Sequence, residues 1–269
     1  MNLKDKRVLI TGATGGIGYA LCLSLVEAGC NLILVGRNRQ KIEQLIEQLP
    51  KTSNYLYIEA DLSRAEGIEL IHQECQQLIK EGINIDVVIN NAGSNTFDYL
   101  TQRTAKSIEQ EIALNLTAPI LLSKYALSWL SPKGFIVNIG STFAGIGYPG
   151  YATYCATKAG LHRFTEAMQR ELSDNDQQLI FIAPRATDTE LNDQRVMKLN
   201  KALGNATDQP QYVAQQVLLA LQSEKKITWI GWPEKLFVRI NQLFPSLVTS
   251  SIYKQKNTIA KHLKRANNI

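Results

Sequence analysis

The sequence predicts an α/β domain built on one doubly wound parallel sheet of six to seven strands, with helices on both faces. Three observations carry this. Short β-branched and apolar runs alternate with longer amphipathic segments from residue 7 to residue 230. The runs are almost continuously apolar, as strands covered on both faces must be. A chain of 269 residues, 45% hydrophobic and 20% charged, suits one large α/β domain or two small ones and can bury a full core.

Arg7–Thr11 is the first strand, and it stops at Gly12. Gly12-Ala13-Thr14-Gly15-Gly16-Ile17-Gly18 follows, then a helical pattern over Tyr19–Ala28 closed by Gly29. Strand, glycine loop and helix in that order suit phosphate binding, because glycine lets the backbone approach a pyrophosphate and the helix start offers free N–H groups. A plain strand–helix turn is the alternative. Asn31–Val35 is the second strand, and its end meets a ribose in a dinucleotide fold. Gly36 and Arg37 stand there with no carboxylate, so Arg37 either pairs with a 2′-phosphate, favouring NADP(H) over NAD(H), or caps the helix over residues 40–49.

Tyr55–Glu59 is the third strand. Asp61 beyond it either accepts from an adenine amino group or begins the next helix, over residues 64–80, with Ser63 as cap. Ile85–Ile89 is a central strand ending in Asn90-Asn91-Ala92-Gly93, small and amide residues that fit a ligand crevice. Two helical segments follow, about 104–114 and 116–130, with Asn115 at their junction. Phe135–Ile139 is the fifth strand and Gln178–Ala183 the sixth. Residues 190–206 read as a mobile lid. Asp208 and Pro210 read as the start of a helix over 211–221, and Ile227–Ile230 as a short last strand.

Between the fifth strand and the long helix ending near Leu172 lie Tyr154 and Lys158, four apart. On a helix that spacing puts phenol and ammonium on one face, and the Lys charge favours the phenolate. With this pair the chain resembles the short-chain dehydrogenases/reductases of the compact single-domain type, Rossmann-like in fold. Four signatures stand in the family's order: Thr11, Gly12, Gly16 and Gly18; Asn90 to Gly93; Asn115; and Ser141 thirteen residues before Tyr154, with Lys158 after it. The resemblance covers residues 5–230.

It implies an NADP(H)-dependent oxidoreductase that interconverts a carbonyl and a secondary alcohol. Tyr154 would move the proton and Ser141 would hold the substrate oxygen. Lys158 would bind the nicotinamide ribose and lower the Tyr154 pKa, and Asn115 would hold a water linking Lys158 to solvent. The cofactor would lie against Gly12, Thr14, Gly15, Gly16, Ile17 and Gly18, then Arg37, Asp61 and Leu62. It would continue along Asn91, Ala92 and Gly93 to Tyr154 and Lys158, and meet Pro184, Thr187 and Thr189. The family also implies a homo-oligomer. Arg185 departs from the pattern, standing where a glycine is usual, and is expected to contact substrate or phosphate or to point to solvent.

The net charge of +5 is uneven. Residues 235–269 hold seven of the 29 Lys and Arg and no Asp or Glu, which leaves 22 basic against 24 acidic residues over 1–234. That excludes a protein-wide nucleic-acid surface and points to something local at the C-terminus. Residues 1–232 form the expected catalytic domain and 233–269 a basic amphipathic extension. Leu236, Phe237, Ile240, Leu243, Phe244 and Leu247 recur at helical spacing, and Lys254, Lys256, Lys261, Lys264 and Arg265 follow. The extension either packs over the substrate cleft or a second subunit, or touches anionic lipid, which would favour a lipophilic substrate.

Cys22, Cys30, Cys75 and Cys155 lack paired spacing, and His72, His162 and His262 form no ligand pattern and read as helix-surface residues, so no metal is expected. Met1–Arg7 is too short for a signal peptide, and no apolar run reaches the ~18 residues that span a bilayer. A cytoplasmic protein is expected, peripheral to membrane if the tail binds lipid. Two rival functions remain: a catalytically silent NADP(H)-binding regulator, and a membrane-surface interaction protein.

Overall fold

The computed structural model describes residues 1–263; Lys264 and Arg265 of the basic tail lie outside the described residues. Seven strands form one parallel sheet: β1 (Arg7–Thr11), β2 (Asn31–Gly36), β3 (Tyr55–Glu59), β4 (Ile85–Asn90), β5 (Leu130–Ile139), β6 (Gln178–Ala183) and β7 (Ile227–Trp229). Their order is β3-β2-β1-β4-β5-β6-β7, reversing direction of travel between β1 and β4. At such a reversal the crossovers diverge to opposite faces and leave a crevice at the carboxyl ends of the strands.

Alternation along each strand divides the core. Val8 and Ile10 face α1 (Gly16–Glu27) and α8 (Pro210–Gln222), packing with Leu21, Leu25, Val213 and Val217. Leu9 between them faces the other way, with Ile68 and Ile71 of α3 (Ala65–Lys80) and Leu122 of α5 (Ala118–Ala126). Each fully buried aliphatic chain here stabilises the fold by about 1.5–3 kcal/mol. α2 (Arg39–Gln48) covers β2 and β3, and its start is capped by Asn38, whose side chain accepts from the Lys41 N–H, not by Arg37.

A buried polar network joins the middle strands to the helices that carry the site. Asn90 donates to Asn138 at 2.8 Å, and Asn138 donates to Thr165 on α6 (Ala152–Glu171) at 2.9 Å.

Several expectations need correction. The two segments about Asn115 are one continuous helical run. α4 (Ala105–Ile112) passes through a π-helical turn, Ala113–Thr117, directly into α5. β5 begins at Leu130, which pairs with Ile85 across a register shift, so the expected second segment ends early. His162 is buried, tilted against the Phe181 ring and edge-on to Trp229, and not on a helix surface; burial lowers its pKa. Asp208 does not cap α8, because its carboxylate is engaged by Arg185. The expected lid contains α7 (Gln194–Leu203), capped by Asp193 and anchored by buried Val196 and Leu199.

After β7 the chain forms α9 (Glu234–Leu243), α10 (Pro245–Lys254) and α11 (Lys256–Leu263). Their inner face is Val238, Val248, Ile259 and Leu263, all buried. Ile259 and Leu263 join Phe97, Tyr151, Tyr154, Val196 and Leu199 in one apolar cluster, so these helices roof the crevice. No helix among the described residues is long and apolar enough to cross a membrane.

Candidate active site

A cavity of about 610 Å³ runs along the carboxyl ends of the strands. One end is the glycine loop. Gly12 has φ +65°, and a Cβ there would lie 2.9 Å from the Ala92 Cα. A Cβ on Gly18 would lie 2.1 Å from the Gly12 carbonyl oxygen, so α1 can start this close to β1 only without side chains. Gly15 offers no side chain to cap α1, so its uncapped first turn stands at the cavity wall with Thr14, Gly16, Ile17 and Gly18.

Thr11 and Asn91 clasp the loop to β4. The Thr11 hydroxyl accepts from the Asn91 and Ala92 N–H groups at 3.0 Å, and the Asn91 amide donates to the Thr11 and Gly12 carbonyls. Ala92, Gly93 and Leu62 continue the wall. This cradle fits a dinucleotide pyrophosphate. Arg37 is exposed at its edge and makes no hydrogen bond or close ion pair among the described residues. Asp61 lies off the wall. Burial pushes its carboxyl up, but the Ser63 hydroxyl and amide and the nearby Arg37 and Arg64 hold it below the usual range.

At the other end stand Ser141, Tyr154 and Lys158, all buried and all on the cavity wall. Tyr154 and Lys158 lie on successive turns of α6, with the ammonium 5.7 Å from the phenol ring centre. The Lys158 Nζ donates to the Ile139 carbonyl at 2.9 Å, at the end of β5. The Ser141 hydroxyl accepts from the Phe143 N–H at 3.1 Å and lies near enough to the Tyr154 phenol to influence its protonation.

Burial dominates the protonation of both α6 groups. It lowers Lys158 to about 8, with Glu111 pulling the other way. It pushes the Tyr154 phenol well above its ordinary value, with the Ser141 hydroxyl pulling the other way. The expected lowering of the Tyr154 pKa by Lys158 is therefore not met: loss of hydration of a buried phenolate outweighs its neighbours.

Asn115 sits below the wall. The π turn carries it inward, where its Oδ1 accepts from the Ser94 N–H at 2.8 Å and its Nδ2 donates to the Ser94 carbonyl at 2.7 Å. It makes no direct bond to Lys158. The two meet across Gly93, where a Cβ would stand 3.2 Å from Asn115 Oδ1 and 3.8 Å from Lys158 Nζ. Sequence reasoning missed Glu111. Its buried carboxylate pairs with Arg103 at 2.6 Å and accepts from the Thr96 N–H, fixing the loop after Gly93 and placing a negative charge near Lys158. Nothing in the spacing of Arg103 and Glu111 signals this.

Pro184, Thr187 and Thr189 line the cavity opposite. Thr189 packs on the glycine loop, since a Cβ on Gly16 would lie 2.5 Å from its methyl carbon. The Thr187 hydroxyl donates back to the Arg185 carbonyl. Arg185 does not point to solvent. It pairs with Asp208 at 2.7 Å and Glu234 at 3.1 Å and donates to the Trp232 carbonyl, so it ties the β6 exit loop to the start of α9. Phe237, Val248 and Ile252 add an apolar roof, and the Asn241 amide donates to the Gly145 carbonyl. The Tyr148 hydroxyl is buried at this end without a hydrogen-bond partner among the described residues. Among the described residues no three His, Cys, Asp or Glu side chains converge, and the four cysteines are free and buried.

The Lys158 pKa carries a consequence for stability. Between about 8 and the unfolded value of 10.5 the unfolded chain binds the extra proton, so this group's contribution to stability rises with pH there and is lost as pH falls through about 8. Replacing the buried ammonium with an apolar chain of similar volume, Lys158→Met, should stabilise the fold at neutral pH by about 1–3 kcal/mol. Urea denaturation checks this, and a destabilised variant would contradict it.

Comparisons with known proteins agree with this geometry. The family model described as short chain dehydrogenase matches residues 6–200. The chain is 26% identical, over 99% of its length and 76% of the other's, to an uncharacterized oxidoreductase, YxnA, of Bacillus subtilis (strain 168). It is 30% identical to the 3-oxoacyl-(acyl-carrier-protein) reductase FabG of Rickettsia prowazekii (strain Madrid E), over 76% of this chain and 81% of that one. Among solved structures, a short chain dehydrogenase from Burkholderia cenocepacia J2315, in complex with NADP, shares the fold with a TM-score of 0.78 at 21% identity, covering 87% of this chain and all of that one. Strand order, cavity and a family match over most of its length agree: the chain belongs to the short chain dehydrogenase family and is an oxidoreductase.

Proposed function

We propose that the protein is an NADP(H)-dependent oxidoreductase that interconverts a carbonyl and a secondary alcohol, working as a reductase under a reduced NADPH pool. The observation that carries this reading is the Ser141–Tyr154–Lys158 group, buried at one end of a cavity whose other end is the glycine cradle. The uncapped start of α1 would hold the pyrophosphate, and Arg37 the 2′-phosphate. Arg37 is available for that, since Asn38 caps α2. The Burkholderia neighbour binds NADP, which supports the choice of nucleotide. When bound, the cofactor supplies the hydride.

The chain's own residues handle the oxygen and the proton. Ser141 donates to the substrate carbonyl oxygen and stabilises the charge that grows on it. Tyr154 carries its proton throughout the neutral range, because burial raises its pKa, and gives it to that oxygen. Lys158, still charged at neutral pH, holds a positive field beside the phenol while the phenolate forms. Asn115 and Glu111 position the backbone of the loop after Gly93, which walls the site. The roof of α9–α11 and α7 excludes water, which strengthens each of these interactions. A silent NADP(H)-binding regulator would have little use for this buried set.

Two substitutions test the reading. Tyr154→Phe should keep NADPH binding, followed by its fluorescence, and lower kcat/KM at least ~10³-fold for carbonyl substrates found by an NADPH-absorbance screen of aldehydes, ketones, sterols and 3-oxoacyl thioesters. Full activity in that variant would sink the mechanism. Arg37→Ala should cost about 10–100-fold in kcat/KM with NADPH and leave NADH unaffected, as for loss of one charge-assisted contact. Equal efficiency of the two cofactors in the parent protein would remove Arg37 as the phosphate clamp.

A further inference from the structure

The three helices after β7 have two faces. The inner face roofs the cavity. The outer face is apolar and uncovered: Leu243, Phe244 and Leu247, around the α9–α10 junction, are 72%, 59% and 61% exposed. Trp232, Leu236 and Tyr253 extend it and are also exposed. Isolated exposed leucines need no explanation, but a clustered apolar apex on a soluble domain marks an interaction surface.

Lys235, Arg239, Lys254, Lys256 and Lys261 lie on the same helices, all exposed. The one acidic side chain between residues 231 and 263 is Glu234, and it is bound to Arg185. The face is therefore apolar at its apex, cationic around it and without a free carboxylate among the described residues. We propose that this outer face docks on an anionic lipid bilayer, with Leu243, Phe244 and Leu247 entering the interface and the surrounding lysines and arginine meeting the headgroups.

Charge decides against a second copy as the occupant. A two-fold contact sets like patches against each other, which here brings cations onto cations with no carboxylate to answer them. The face is also continuous with the cavity. Phe237 is 39% exposed and lines the cavity from α9. On the reading of the site proposed above, docking would present the cavity mouth to lipophilic carbonyl compounds dissolved in the bilayer.

The test is co-sedimentation of the full chain with vesicles of phosphatidylcholine alone and of phosphatidylcholine with a third of phosphatidylglycerol. The anionic vesicles should bind at least ~10-fold more tightly, and added salt should weaken binding. Leu243→Glu/Leu247→Glu should lower binding about 100-fold. Lys235→Glu/Arg239→Glu should abolish the preference for anionic vesicles. All four positions are exposed and off the cavity wall, so NADPH turnover of a water-soluble substrate should be unchanged in both variants. Failure of the chain to sediment with anionic vesicles would overturn the proposal, as would equal binding by the Leu243→Glu/Leu247→Glu variant. A lipid-free dimer that the same variant dissolves would assign the face to self-association instead. Vesicle binding is read without turnover, so it stands or falls apart from the catalytic reading.

Discussion

The arrangement depends on one buried charge. Lys158 lies inside the protein at the end of β5, and removing an ammonium from water is costly unless its protons find acceptors. The Ile139 carbonyl accepts one, and the Glu111 carboxylate supplies an opposing charge. Glu111 is in turn held by Arg103 and by the Thr96 N–H. Glu111 and Asn115 thus fix the loop after Gly93 on one side of this ammonium, and the Ile139 carbonyl ties it to the end of β5 on the other. Burial holds the Tyr154 phenol protonated beside it. On the function proposed, this pair would act as a proton donor with a cation behind it.

A second constraint closes the site. Arg185 occupies a position beside the cavity and reaches away from it, to Asp208, Glu234 and the Trp232 carbonyl. These contacts couple the β6 exit loop, the turn before α8 and the start of α9. The roof is therefore anchored to the same loop that carries Thr187 and Thr189 to the cavity wall. Val238 against Gly145, and Leu263 against Gly150, bring the roof down on the loop between β5 and α6.

Local pattern and tertiary partnership were unequally visible in the residues. The strands were legible because each is a short apolar run bounded by turn residues, and β3 and β6 begin and end where that pattern does. Ser141, Tyr154 and Lys158 were legible because helical spacing and a strand end place them together without further information. Asn115 was legible as a residue but not in its geometry: a π turn has no residue signature distinct from an ordinary helix, and the amide's partner is the backbone of Ser94, 21 residues away. Arg185 and Asp208 were illegible for the same reason, since they pair with each other across 23 residues, and Glu111 because its partner Arg103, eight residues back, lies outside the three- or four-residue spacing of a helical pair. Asp208 looked like a helix cap because local hydrogen bonding is what sequence shows. His162 looked exposed because a polar residue on a long helix usually is, and only the Phe181 and Trp229 rings explain its burial.

The central claim is that a charged, buried Lys158 supports proton donation from Tyr154. The most direct test is the pH profile of kcat/KM for carbonyl reduction in the parent protein and in Lys158→Arg, whose guanidinium keeps its charge into the alkaline range. The account predicts a plateau at neutral pH and a fall as pH rises through about 8 in the parent, with that step absent from the arginine variant. A parent profile with no step there, or the same step in both proteins, would contradict it.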